Sequence, residues 1–80
     1  MKLPKVVVRK LGKEKALGQA FADENLIEID PRQKPKSLFD TEIHEFFHIR
    51  FPDWSETKVK KEARIFRDYL WKLKYRKIND

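Results

Sequence analysis

Eighty residues without a cysteine make a single small domain, residues 1–80, with no disulfide framework and no thiolate metal site. The one β-branched run near the start, Val6-Val7-Val8, is far too short for a signal peptide or a membrane span, which predicts a cytoplasmic protein that does not enter a membrane. The net charge of +6 is unevenly spread: residues 1–20 carry six basic and one acidic side chain, residues 21–56 four basic and nine acidic, residues 57–80 nine basic and three acidic.

Lys5 to Leu11 reads as a strand, because three consecutive valines favour extended backbone and Gly12 follows as a turn residue. Ala16 to Ala22 is a weaker strand, since Gly18 and the alanines lower its propensity; a short helix over 13–22 is the competing reading. Asp23-Glu24-Asn25 breaks the pattern, and Leu26 to Asp30 resumes it with alternation from Ile27. Two strands around a three-residue turn predict an antiparallel hairpin. A basic, proline-bearing connection follows, and Pro35 suits the first turn of a helix, where its missing N–H costs nothing.

From Pro35 to about Phe51, the residues Phe39, Ile43, Phe46 and Phe47 form one apolar stripe at helical spacing. Pro52 stops this helix, and Asp53-Trp54-Ser55 supplies a turn with a capping side chain for the next. The last helix is predicted to run to roughly Lys77, with Val59, Ala63, Phe66, Leu70 and Leu73 as its stripe and Lys60, Lys61, Arg64, Arg67 and Lys74 opposite. The expected class is α+β: a small antiparallel sheet of two or three strands, then the two helices. No internal repeat or linker divides the chain.

The chemistry is concentrated in Thr41-Glu42-Ile43-His44-Glu45-Phe46-Phe47-His48, which contains H-E-x-x-H and both histidines of the protein. On a helix His44 and His48 lie one turn apart on one face, able to hold a single ion about 2 Å from each nitrogen. They flank the apolar stripe rather than fill it, as ligands facing a cleft must. Glu45 lies about 100° round the helix. It is therefore no ligand from this turn, but it can take a proton from a water beside the ion. The bland reading is a solvated face with two incidental histidines.

H-E-x-x-H on a helix after a small sheet resembles the catalytic half of a zincin metallopeptidase. More narrowly, Ile29-Asp30-Pro31, Thr41-x-Ile43-His44-Glu45-x-x-His48, Pro52-Asp53-Trp54-Ser55-Glu56-x-x-Val59 and Leu70-Trp71 resemble a group of small zincin-like proteins encoded by phages, over about residues 16–76. The resemblance implies a zinc ion (Zn2+) held by His44 and His48, Glu45 as general base, and a peptide lying along an edge strand. The zincin extension that supplies a third histidine is missing, since Ile49-Arg50-Phe51-Pro52-Asp53-Trp54 follows His48. A carboxylate from the second helix must complete the site, which is the glutamate-zincin arrangement.

Two residues compete for that place. Glu56 continues the stripe Val59, Ala63, Phe66 by one turn towards the first helix, and the phage-group resemblance falls on it; Asp53-x-x-Glu56 also fits a capping box. Glu62 lies one residue off the stripe, in a segment that resembles the ligand segment of other glutamate zincins. Thr41 is either a support for a ligand or a helix residue bonding its own backbone. Trp54, Tyr69 and Trp71 form either a binding wall or ordinary core.

Three functions fit these residues. The first is a minimal zinc metallopeptidase acting on a peptide or protein substrate. The second is a zinc-stabilised, non-catalytic binding protein, associated with nucleic acid through the basic last helix. The third is a helical interaction module without metal.

Overall fold

The computed structural model describes residues 2–12 and 17–75. Within them three short strands precede two long helices: β1 (Lys5–Val8), β2 (Gly18–Phe21), β3 (Leu26–Ile29), α1 (Pro35–Arg50) and α2 (Glu56–Lys72). One 3-10 turn, Ala22–Glu24, joins β2 to β3, closed by Asn25 at a positive φ of 49° that a short polar side chain tolerates. Residues 18–21 are strand, so the helical reading of 13–22 fails where it can be checked; residues 13–16 lie outside the described residues.

The sheet is mixed, which corrects the expected antiparallel one. Strand order is β1-β3-β2. β2 and β3 form the anticipated hairpin, with Gly18 opposite Ile29 and Phe21 opposite Leu26. β1 runs parallel to β3 on its other side, Lys5 facing Leu26 and Val8 facing Ile29. The physical reason is connectivity. Only β2 is tied to β3 by a tight turn, and that turn enforces opposite directions; β1 arrives from two connections earlier and can add to the free edge either way.

β1 also ends sooner than the expected Lys5 to Leu11. Arg9 still donates its N–H to the Ile29 carbonyl at 3.0 Å, but Leu11 leaves the ladder and becomes fully buried. Its N–H is taken by the Asp30 carboxylate at 2.9 Å. Asp30 itself is only 4 % exposed. It accepts from the backbone N–H of Arg32 at 2.9 Å and from the Arg32 guanidinium at 2.8 and 3.1 Å. The Arg32 side chain, then the N–H groups of Leu11 and Arg32, hold the Asp30 carboxyl far below the usual carboxylate range.

The core is small: Leu11, Ile27, Ile29, Ile43, Val59 and Ala63. α1 lies over β2 and β3 and separates the sheet from α2, which packs chiefly on α1. α2 delivers only the first part of its expected stripe. Val59 and Ala63 are buried, whereas Phe66 and Leu73 remain 45 % and 48 % exposed. α2 stops at Lys72, about five residues before the expected end. Lys74 adopts a left-handed φ of 65°, and Lys74 and Tyr75 donate back to the carbonyls of Trp71 and Leu70. Lys77 lies outside the described residues.

Candidate metal centre

Three local devices bring the polar residues of the motif together. The first is the aromatic corner between the helices. Phe51 stacks on Trp54 with centroids 4.1 Å apart, and Phe47 touches Phe51, Trp54 and Phe66. This fixes where α2 begins. Ser55 caps α2, its side chain accepting from the Lys58 N–H at 3.1 Å. The competing reading of Glu56, a capping box with Asp53, is therefore not what forms. Glu56 is the first helical residue, not the third, and its side chain turns towards α1 instead.

The outcome is a His/His/Glu group able to chelate a metal. Nε2 of His44 lies 2.8 Å from one oxygen of Glu56, and Nε2 of His48 lies 2.7 Å from the other. The two Nε2 atoms are 3.2 Å apart. All three donor groups fall within 4.8 Å of one another, the only such cluster among the described residues. The histidine side chains are 16 % and 27 % exposed, and that of Glu56 is 66 % exposed. Glu62 is not in the group. Six residues on from Glu56, it points about 120° away round α2.

The donor set fits zinc. Zinc–nitrogen bonds of 2.0–2.1 Å at tetrahedral angles separate two donors by about 3.3 Å, close to the spacing of the two imidazole nitrogens. Two nitrogens turned towards each other with one carboxylate bridging both is an arrangement that a shared cation resolves. The carboxylate contacts are of hydrogen-bond length, and Glu56, being exposed, can withdraw slightly to admit an ion.

The second device is Gly18. A Cβ built on it would lie 2.6 Å from Cγ2 of Thr41, 3.0 Å from Cγ of Glu45 and 3.3 Å from the carbonyl oxygen of Glu28. No side chain fits there. The glycine lets β2 and α1 approach closely enough to press Glu45 against the strand. Burial pushes the Glu45 carboxyl up, against the pull of His44 and His48 and helped by the Glu56 carboxylate. The strand reading treated Gly18 as a weakness; an isolated glycine inside a strand is also the known mark of close backbone approach, and that signal was present.

The third device is a polar tether around Gln33. Its Nε2 donates to the carbonyls of Leu17 and Asp30 at 3.1 and 2.7 Å, and its Oε1 accepts from Ser37 at 3.0 Å. Thr41 Oγ1 lies 2.8 Å from the same Oε1 and 3.0 Å from the Ser37 carbonyl, its single proton shared between them. Thr41 thus bonds its own helix and the tether; no bond to a histidine is formed. Sequence reasoning missed Gln33 altogether, because nothing in a polar loop residue announces its partners.

Gly18, Thr41, His44, Glu45, Glu56 and Lys60 line a cleft of about 370 Å³ between β2 and α2. Asp40 sits at its edge, neutralised by Arg67 at 3.2 Å. The aromatic residues considered as a binding wall lie elsewhere: Trp54 packs on Phe51 under Lys58, Trp71 on Phe39, and Tyr69 is exposed. No helix among the described residues is long and apolar enough to cross a membrane. No family model, curated protein or solved structure matches the chain.

Proposed function

We propose that the protein is a minimal zinc-dependent peptidase in which His44, His48 and Glu56 hold the ion and Glu45 is the general base. The observation that carries this reading is the position of Glu45. It lines the same cleft as His44 and Glu56 yet is not a member of their cluster. A structural metal site closes all its positions and has no use for a half-buried carboxylate beside it. When bound, zinc supplies an acidified water and a Lewis acid for the peptide carbonyl. The identical donor set also holds ferrous iron; the adjacent Glu45 speaks for hydrolysis.

Glu45 takes a proton and later returns it to the leaving amine. A carboxyl raised by burial is better matched to both transfers near neutral pH than an ordinary glutamate. β2 is an edge strand beside the cleft, so its outer backbone groups can pair with an extended peptide and lay it across the histidines. Gly18 and Gln33 keep that strand at its distance from Glu45.

A second reading keeps the ion and drops the catalysis. The cluster joins α1 to α2, so a metal there can simply staple the two helices, and α2 carries a basic hollow of about 390 Å³ containing Lys60, Lys61 and Arg64 that suits a nucleic-acid backbone. One pair of measurements divides the readings. Metal analysis of purified protein is expected to give about one zinc per chain, the stoichiometry of a single mononuclear site. Glu45→Gln should retain that zinc and lose hydrolysis of an unfolded protein substrate by roughly a hundredfold or more. Equal cleavage by parent and variant, or none by either, would leave only the staple.

A further inference from the structure

Lys60 stands out among the residues of the cleft because it has no role in the chemistry just described. It follows Glu56 by one helical turn and lines the metal cleft. It also lines the neighbouring hollow on the outer side of α2, together with Lys61 and Arg64. Glu56, Lys60 and Arg64 succeed one another at four-residue intervals, so a single ridge leads from the cluster out along α2.

The charges on this ridge are unspent. Among the described residues Lys60, Lys61 and Arg64 make no ion pair. The obvious partner of Lys60 is Glu56 one turn earlier, but both oxygens of Glu56 are turned to the histidines. On the α2 side no other carboxylate is left to meet it, and Glu45 stands across the cleft on α1. Asp40 is taken by Arg67, and Arg67 in turn is shared with Asp68 at 2.8 Å. Once a divalent ion is bound, its two charges exceed the one of Glu56, and Lys60 adds another. A ligand entering between β2 and α2 meets a positive wall on the α2 side.

Resting on the peptidase reading, we propose that Lys60, supported by Arg64, is a specificity-determining residue that selects peptides carrying a carboxylate close to the bond to be cut. That carboxylate comes either from an aspartate or glutamate side chain or from a free C-terminus; the chemistry recognised is the same. A nucleic-acid backbone is the poorer fit to this wall. Although the outer hollow alone suits one, a strand entering the cleft would bring many negative charges past Asp40, Glu45 and Glu56, which line it with Lys60, whereas a single carboxylate meets only the ridge.

The test reads binding, so that it does not depend on turnover. Zinc-loaded Glu45→Gln protein is titrated, by fluorescence anisotropy at low and moderate salt, with labelled peptides of one length. One set is amidated and carries a single glutamate at successive positions; another is neutral with a free C-terminus; a third is neutral and amidated; a fourth carries lysine. A single-stranded oligonucleotide is the fifth ligand. The same series is run on the double variants Glu45→Gln/Lys60→Glu and Glu45→Gln/Arg64→Glu. Both substituted side chains are exposed, so the fold is retained.

Carboxylate peptides are expected to bind roughly five- to twentyfold tighter than the neutral amidated peptide, an advantage that shrinks with salt. Lys60→Glu should abolish that preference or transfer it to the lysine peptides, and Arg64→Glu should reduce it by less. Tight binding confined to glutamate peptides identifies a side-chain pocket; tight binding confined to free C-termini identifies a carboxypeptidase-like site. Equal affinity for all peptides, no peptide binding, or a preference that survives Lys60→Glu overturns the proposal. So does binding of the oligonucleotide alone. Failure of the peptidase reading shows separately, as absence of Glu45-dependent cleavage in the parent.

Discussion

The two long helices are held in opposite ways. α1 is fixed by packing and by the sheet: Thr41 and Ile43 are buried, Gly18 meets its side, and the Gln33 tether secures its first turns. α2 likewise buries two residues, Val59 and Ala63, but leaves Ile65, Phe66, Tyr69 and Leu73 about half exposed, whereas residues 37–49 of α1 are all at least half-buried. Yet the cluster is divided between them, two histidines from the well-held helix and one carboxylate from the loosely held one. A domain this small has little core with which to fasten its last element, and an ion shared across the helices would make up for it. The apparent weakness of α2 and the placement of Glu56 at its first turn are one design.

The largest expected effect tests that design directly. Removing zinc with a chelator should lower the melting temperature by about 10–20 °C, since a ligand present at a hundred times its Kd contributes about 2.7 kcal/mol by mass action. Amide exchange should accelerate most in α2 and little in β3 or the middle of α1. Glu56→Gln should reproduce this loss and weaken zinc binding severely, whereas Glu62→Gln should leave both nearly unchanged. Uniform acceleration across both helices would end the comparison, and loss of zinc in Glu62→Gln alone would displace Glu56 from the site.

On the well-held side, the Asp30 network should matter next. Asp30→Asn removes the charge that Arg32 and two backbone N–H groups are built around, and is expected to lower the melting temperature by on the order of 10 °C at pH 7. The pH dependence has a definite sign. The Asp30 carboxyl is depressed in the fold, so its contribution is complete above its ordinary value of about 3.9 and disappears as pH falls towards the folded value. Parent and variant melting curves should therefore converge below about pH 4. Parallel curves down to pH 2 would mean that Asp30 stabilises only by shape.

Much of this architecture is legible in the sequence, and what is not has identifiable causes. The helical stripe of α1 and the histidine pair are visible because spacing on one helix is a local property. Glu56 is visible by extending the stripe of α2 by one turn. The direction of β1 is not, because a run of valines specifies extended backbone and no partner. The meeting of Leu11 and Asp30 is not, because both read as the last residues of strands, and nothing local shows that they leave the ladders for each other. The capping box stays open in the sequence because Asp53-x-x-Glu56 and Ser55 compete for the same turn, and the structure has Ser55 as the cap.

A smaller effect probes the seam between α1 and β2. Gly18→Ala places a methyl group where Thr41 and Glu45 already stand, and should cost about 2 kcal/mol as the strand moves outward. Because the atoms nearest the added methyl group belong to Thr41, Glu45 and Glu28 rather than to the histidines, zinc affinity should fall much less than hydrolytic activity. An unchanged melt would show that β2 shifts without resistance and that the tight contact does not position Glu45.

The smallest effect runs in the favourable direction, which sets it apart from the others. Burial raises the Glu45 carboxyl in the fold, so at pH 7 its ionised form is disfavoured there relative to the unfolded chain. Replacing it by glutamine keeps the shape and removes the charge. In metal-free protein, where no ion rewards the carboxylate, Glu45→Gln should raise the melting temperature by a few degrees at pH 7. That gain should shrink as pH falls through the raised value towards the ordinary glutamate value of about 4.3, because the parent carboxyl takes up its own proton. This is the opposite sign to Asp30→Asn over the same titration, so one set of melts reads both. An unaltered or lowered melting temperature in Glu45→Gln would place Glu45 among the stabilising residues instead.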